Sequence, residues 1–547
     1  NPAHRLPFSP GMNGVVRLRE PDGSVRQLSV ADAVAEASND LQRGGAAHAL
    51  RLLDQALQRA PQAPAVRYLL GIAQLRHDQR DLAISNLERA VRSDARNVDY
   101  LAALGEALIP ERPLDAIAYF AAAIELGAKR PDVYSLLASI LINMRRPADA
   151  LNACDLGIAA CGEAPEILGN RGLALRDLAR YEEALQHLKK TESLLPHDYR
   201  VLVGIGNILS DLGRLREASD YFTKAAAVRP GDPVCRYNFA LALLLAGNLR
   251  DGFAEYEWRW GNRQFASHRP RFAQPLWDGA ELAGRHLLLS FEQGAGDTIQ
   301  FARYVQFAKE RGARVTMLVQ SPLRRLMTWL SDEIAVTDTL PAAFDVYCPL
   351  GSLPHVAGTD LESIPAPAQF EVPAITRWQW RARLGQPSGT RIAIVWAGAA
   401  GHLNDHNRSL SFQQYAPLFD APGAEWFSLQ VGPPSAQLTQ SKIRDLAPHL
   451  TDYAETAAAL QNMDLVITAD TSVAHLAGSL RIPTWVLIPF APDWRWMRDR
   501  NDSPWYPSMK LYRQSSAGDW DTVLRNVKID LNAWLQAEHD LIEASAA

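Results

Sequence analysis

The sequence predicts an α plus α/β protein: a helical-repeat solenoid followed by two parallel, doubly wound α/β lobes. Three observations predict this. Small residues return every 33 or 34 positions between Ala37 and Ala240. From residue 286 to 489, short apolar runs alternate with helical stretches. A Pro-rich stretch poor in strand signals, around 354–390, divides those runs into two groups.

A chain of 547 residues is too long for one hydrophobic core and implies several units. Its composition, 47% hydrophobic and 21% charged, is that of a globular protein. A net charge of −5 supplies no general attraction to nucleic acid, so none is expected as a partner. Cys154, Cys161, Cys235 and Cys348 lack CxxC spacing, which argues against a disulfide framework or zinc site and points to a reducing cytoplasm. No run approaches the roughly 18–20 apolar residues that span a bilayer. Residues 1–29 read as an N-terminal extension. The eleven residues before Met12 can be a cloning remnant, and VVRLREPDGSVRQLSV can form a small hairpin around Pro21-Asp22-Gly23-Ser24.

The repeat occupies about residues 30–262. Ala37, Gly71, Gly105, Ala138, Gly172, Gly206 and Ala240 are spaced by 34, 34, 33, 34, 34 and 34 residues. Twelve positions after most of them stands a second small residue: Ala49, Ala83, Ala150, Ala184, Ala218 or Gly252. After Gly105 the match is Ala116, one position early, which accounts for the 33-residue step. Two helices approach closely only where side chains are small, so each pair needs a small residue on both partners. Prolines near the joints (Pro61, Pro131, Pro165 and Pro230) break the helices between units. This pattern resembles the tetratricopeptide repeat and predicts about six or seven units. Such an array buries its core between neighbours and leaves a groove able to hold a peptide or partner protein. Asn170, Asn207 and Asn238 sit at different offsets in their repeats, so they read as solvated positions rather than a ladder that grips a peptide backbone.

Residues 263–282 form a connector rich in aromatic residues, Arg and Pro. Trp258, Trp260 and Trp277 are expected to cover the apolar end of the array. Beyond it, strands are expected at 286–291, 313–320, 345–350, 391–398, 425–431, 464–470 and 484–489. Strands alternating with helices indicate parallel, Rossmann-like lobes, here 283–375 and 388–515, joined by a linker at 376–387. An amphipathic helix closes the chain at 516–547. Ligands of such sheets bind beyond the carboxyl ends of the strands.

The first of those strands runs into Glu292-Gln293-Gly294-Ala295-Gly296-Asp297-Thr298. Gly294 and Gly296 permit a tight turn and close ligand approach at a helix start. Ile299 stands where a dinucleotide fingerprint needs its third glycine. Asp297 in the first helical turn has two readings, a helix cap or a carboxylate facing the cleft. In the second lobe, Asp470-Thr471-Ser472-Val473-Ala474-His475 joins a strand to a small-residue helix start suited to a diphosphate. No Walker lysine follows. Trp396-Ala397-Gly398 ends another strand and leads to Arg408-Ser409, where Arg408 offers a two-pronged fork for phosphate or a solvated loop position.

EQGAGDTIQFARY, RIAIVWAG, ADTSVAHLAG and DWRWMRDRNDSPWYP, in that order, resemble glycosyltransferase family 9 across about residues 250–540. This is the heptosyltransferase group, in its branch fused to tetratricopeptide repeats. The resemblance implies the two-lobed glycosyltransferase-B fold. It implies Asp297 as general base and a donor site drawn from Gly294, Gly296, Thr298, Trp396, Gly398, Arg408, Ser409, Gln430, Gly432, Asp470, Thr471, Ser472 and His475. His475 has an alternative as a packed, hydrogen-bonded core histidine. Gln300, Trp494, Arg495 and Trp496 are candidate sugar or acceptor contacts, although core packing also suits these Trp and Arg residues and Trp505.

The expected reaction is an inverting transfer from a nucleotide-sugar co-substrate to a hydroxyl of a protein, such as flagellin or another surface protein, held by the repeat groove. No DxD pair stands at a strand end, so no metal or other cofactor is expected. The donor can be an ADP-heptose, a CMP-nonulosonate, or a GDP- or UDP-sugar. Two alternatives stand beside this reading: a heptosyltransferase acting on lipopolysaccharide core, and a non-catalytic scaffold with degenerate lobes.

Overall fold

The computed structural model describes residues 14–19, 25–402, 404–438 and 443–546. The chain divides into two compact units, residues 1–196 and 197–547.

The first unit opens with strands β1 (Val15–Arg19) and β2 (Val25–Ser29), paired antiparallel, so the expected hairpin strands form. The Pro21–Ser24 turn and the proposed cloning remnant lie outside the described residues. Five helix pairs follow, from Val30–Gln42 with Ala46–Arg59 to Pro165–Asp177 with Tyr181–Leu194. The periodic small residues sit where the paired helices touch. A side-chain carbon added at Gly71 would lie 2.6 Å from Leu87, and one at Gly172 would lie 2.8 Å from Leu188. Proline opens several helices, at Pro64, Pro113, Pro131, Pro147 and Pro165, where its missing N–H costs no helical hydrogen bond. Asn170 is half-buried and bonded to the neighbouring repeat rather than a freely solvated position. It donates to the Ser135 carbonyl and hydroxyl at 2.8 and 2.9 Å, tying consecutive repeats together.

The second unit begins with two more pairs, Tyr199–Asp211 with Leu215–Val228 and Pro233–Leu245 with Leu249–Tyr256. Gly206 is held against Phe222 and Gly252 against Leu244 by the same close approach. The unit then builds two parallel sheets. The first contains β3 (His286–Ser290), β4 (Arg314–Leu318), β5 (Ala335–Thr337) and β6 (Val346–Pro349), in the order β5-β4-β3-β6. The second contains β7 (Thr390–Val395), β8 (Ala424–Ser428), β9 (Arg444–Asp445), β10 (Leu465–Ala469), β11 (Thr484–Ile488) and β12 (Met509–Arg513).

The order of the second sheet is β12-β11-β10-β7-β8-β9, all parallel. Counted within the sheet this is 3-2-1-4-5-6, and the direction of winding reverses between β7 and β10, where such sheets bind ligands. Both faces are covered. Ala393, Val395 and Val466 point into one core, while Ile392, Ile394 and Ile467 point into the other. This explains the near-continuous apolar strands. The closing helix Trp520–Ala546 lays Trp520, Leu524, Val527 and Leu531 on the second core.

Two more expectations change. Trp277 does not cap the repeats. Its backbone N–H donates to the Tyr347 carbonyl at 2.8 Å beside β6, its indole N–H donates to the Ala280 carbonyl at 2.8 Å, and its ring packs on Phe307. Most of the linker 376–387 is a helix, Ala374–Leu384, anchored by buried Trp380 and Leu384. Among the described residues no helix is long and apolar enough to cross a membrane.

Candidate functional site

The residues after β3 and after β10 form the starts of two helices, Ala295–Phe301 and Ser472–Ser479, and the two helices pack on each other. They come close at Gly296. A side-chain carbon there would lie 2.9 Å from the His475 ring and 3.6 Å from the Ser472 backbone. Glycine here leaves room for the His475 ring, which an added carbon would press upon.

Asp297 stands at this meeting point with its side chain 20% exposed. Its Oδ2 accepts the Gly294 N–H at 2.9 Å, which is the helix-capping role. Its Oδ1 pairs with Arg495. Arg495 also donates to Asp493 at 2.8 Å and to Gln300 Oε1 at 2.7 Å. One guanidinium thus joins the first lobe to the loop after β11. Burial disfavours that cation, but the carboxylates of Asp493 and Asp297 raise its pKa further still and keep it charged. The loop continues through Met497, a non-glycine residue at φ 50°. Such backbone is strained, and Arg513 holds it by donating to the Met497 carbonyl at 2.9 Å.

At the β7–β10 switch point, Arg408 donates to the Asp470 carbonyl at 2.9 Å. Its guanidinium crosses directly above Gly398, where an added carbon would lie 2.5 Å from Nη2. Ser409 accepts the Gly398 N–H at 2.9 Å and donates to Asp405 at 2.8 Å, fixing the loop that carries the arginine. Arg408 is therefore a built element, with its side chain only 12% exposed. Burial pushes the Asp470 carboxyl up to about 6; Asp493 adds to the rise and Arg408 opposes it. Burial, then Arg495, pushes His475 down to about 3, so the imidazole is neutral. Its Nδ1 lies 3.0 Å from the Tyr506 hydroxyl and its ring stacks on Trp496.

Several expected contacts belong to the framework. Trp396 is fully buried in the core beside Phe412 and has no surface for a donor. Gln430 spends its amide on backbone, accepting from Trp396 and Ala397 N–H and donating to the Ala397 and Val431 carbonyls. Thr298 is buried and donates to Gln320 at 2.9 Å. Gln300 and Trp496 are fully buried, and Trp494 packs edge-on against Phe253 and Trp505. The Ser472 and Thr471 hydroxyls already pair with Tyr453 at 2.8 Å and Thr468 at 3.2 Å. Gly432, at φ 76°, turns the chain in open space.

The sequence reading passed over Asp493 although it opens the quoted DWRW segment. It also missed the part played by the last repeat pair. Arg259, just after that pair, forms a fully buried ion pair with Glu292, and Tyr256 accepts a hydrogen bond from Gln293 at 2.6 Å. These contacts brace the residues leading into Gly294 and Asp297.

A tetratricopeptide repeat family model matches residues 199–232. Protein FlbA of Caulobacter vibrioides is 24% identical over 530 residues, covering 88% of this chain and 81% of that protein. A structure of YrrB, described as a TPR protein with an unusual peptide-binding site, is 15% identical, covers 34% of this chain and 95% of its own, and has a TM-score of 0.29. A Pseudomonas aeruginosa PilF structure is 19% identical, covers 38% and 94%, and has a TM-score of 0.35. The N-terminal region is a solenoid of tetratricopeptide repeats, and an α/β region of parallel sheets follows it.

Proposed function

We propose that the chain transfers a glycosyl group from a nucleotide-linked donor to a hydroxyl of a protein acceptor recruited by the repeats. The observation that carries this reading is the position of Asp297: partly exposed, bonded to Arg495, and set where the helix starts after β3 and β10 meet. In the proposed step, Asp297 takes the acceptor hydroxyl proton as the oxygen forms its bond to the anomeric carbon. The bond from that carbon to the phosphate oxygen breaks, and the nucleotide leaves with the electron pair from the opposite face. The anomeric centre is thereby inverted.

Arg408 at the switch point meets the charge growing on the leaving phosphate, in place of a metal. Neutral His475 and the backbone about Gly296 and Gly398 border the donor. Arg495 holds the Asp297 side chain in position. The two lobes correspond in this reading to the paired lobes of the glycosyltransferase-B arrangement, with the donor on the second.

A scaffold without activity is the competing reading. Asp297 favours it, because both carboxylate oxygens are already engaged, Oδ1 by Arg495 and Oδ2 by the Gly294 N–H. A nucleotide thermal-shift panel followed by transfer assays separates the two. A ligand at 100 times its Kd adds about 2.7 kcal/mol of stability, so one nucleotide series is expected to raise Tm and its sugar conjugate to turn over. No shift and no turnover with ADP-, GDP-, UDP- or CMP-linked donors would leave the scaffold. Transfer to a lipopolysaccharide core acceptor but not to protein would replace the acceptor assignment.

A further inference from the structure

The helix Ala374–Leu384 carries an unpartnered face. Trp380 and Leu384 hold it to the protein, Trp380 donating to Glu455 at 2.6 Å. On the opposite side Ile375 and Trp378 are 62% and 65% exposed, with exposed Ala382 one turn on. Positions 375, 378 and 382 follow the spacing of a single helical stripe. Arg381 flanks the stripe, Arg377 lies between Ile375 and Trp378 in sequence, Arg383 on the other side lies over the Trp380 ring, and the helix contains no acidic residue. Arg377 and Arg381 form no ion pair with a described residue.

We propose that this helix is a docking surface for an anionic lipid bilayer, independent of the transfer reaction. Two exposed apolar side chains cover far less than the roughly 800 Å² per partner of a stable protein interface. A bilayer needs no such area: Ile375 and Trp378 enter the boundary between headgroups and acyl chains while the arginines stay at the phosphates. The chain's overall charge of −5 does not oppose this, because charges more than about 10 Å away are screened at ordinary salt.

The test is cosedimentation of the full chain with vesicles of phosphatidylcholine, with and without phosphatidylglycerol. The wild type is expected to bind only the vesicles containing phosphatidylglycerol. Arg377→Gln with Arg381→Gln is expected to weaken binding about thirtyfold, Trp378→Ser to weaken it as well, and Arg377→Lys with Arg381→Lys to retain it. All three variants keep the wild-type Tm, since the altered side chains are exposed. Absence of binding, equal binding to pure phosphatidylcholine, wild-type binding by the Gln or Ser variants, or capture of an acidic polyglutamate peptide instead of vesicles would each overturn the proposal.

Discussion

Arg259 and Glu292 form a two-point ion pair, Nε to Oε1 and Nη2 to Oε2, both at 2.9 Å, with side chains 0% and 3% exposed. Arg259 also donates to Ser352 at 2.7 Å. Burial raises the Glu292 pKa against the pull of Arg259, so this carboxylate depends on its partner. Arg259→Met is predicted to cost about 3–5 kcal/mol by leaving that charge alone. Arg259→Met combined with Glu292→Leu recovers much of the loss. Thermal unfolding of the three proteins checks this, and an unchanged Tm in the single variant would refute it.

The same wiring predicts how truncations behave. Removing residues 1–262 deletes Tyr256 and Arg259 and abolishes nucleotide binding along with stability. Removing 1–196 leaves the compact unit 197–547 entire and keeps nucleotide binding, while transfer to a protein acceptor falls. Calorimetric titration of both truncated proteins with nucleotide distinguishes them. Binding by the shorter protein would contradict the assigned role of the last repeat.

Gly398→Ala places a carbon where the Arg408 guanidinium lies. The end of a flexible side chain can yield, so the fold survives but the arginine loses its position. Donor KM is predicted to rise about tenfold or more, as loss of a charge-assisted hydrogen bond implies. A KM equal to the wild type would remove Arg408 from donor binding.

How much of this was legible in the sequence depends on how local the signal is. All seven strands expected from apolar runs are present, because buried parallel strands write themselves as continuous Val, Ile and Leu. The three that were passed over, β5, β9 and β12, are short or marginal: Ala335–Thr337 and Arg444–Asp445 are edge strands, and Met509–Arg513 interleaves polar residues. The repeat spacing was fully legible because close helix contact admits only small residues. The site was legible as two turns, but not as a network. Nothing local to Trp396 or Gln430 shows that one is core and the other a backbone clasp. The Arg495–Asp297 and Arg259–Glu292 pairs join residues 198 and 33 positions apart, a distance no motif spans.

Asp470 supplies a pH prediction. Its folded pKa lies near 6, above its ordinary 3.8. Its contribution to stability is therefore complete below about pH 4 and is lost as pH rises through 6, leaving a buried charge beside Asp493 at neutral pH. Asp470→Asn removes that cost and is predicted to stabilise the protein at pH 7.5 by the order of 2 kcal/mol. The advantage narrows between pH 6 and 4. His475 titrates with the opposite sign, but it is common to both proteins and cancels in the difference. A variant less stable at pH 7.5 would show that the carboxylate is held by stronger partners.

The proposed transfer depends most on the Asp297 carboxylate acting as a base rather than only capping its helix. Single-turnover transfer by Asp297→Asn, with donor affinity measured alongside, tests this directly. The rate is predicted to fall roughly 10²–10⁴-fold with donor affinity preserved; a rate near wild type would leave Asp297 a helix cap and rule out its role as the base.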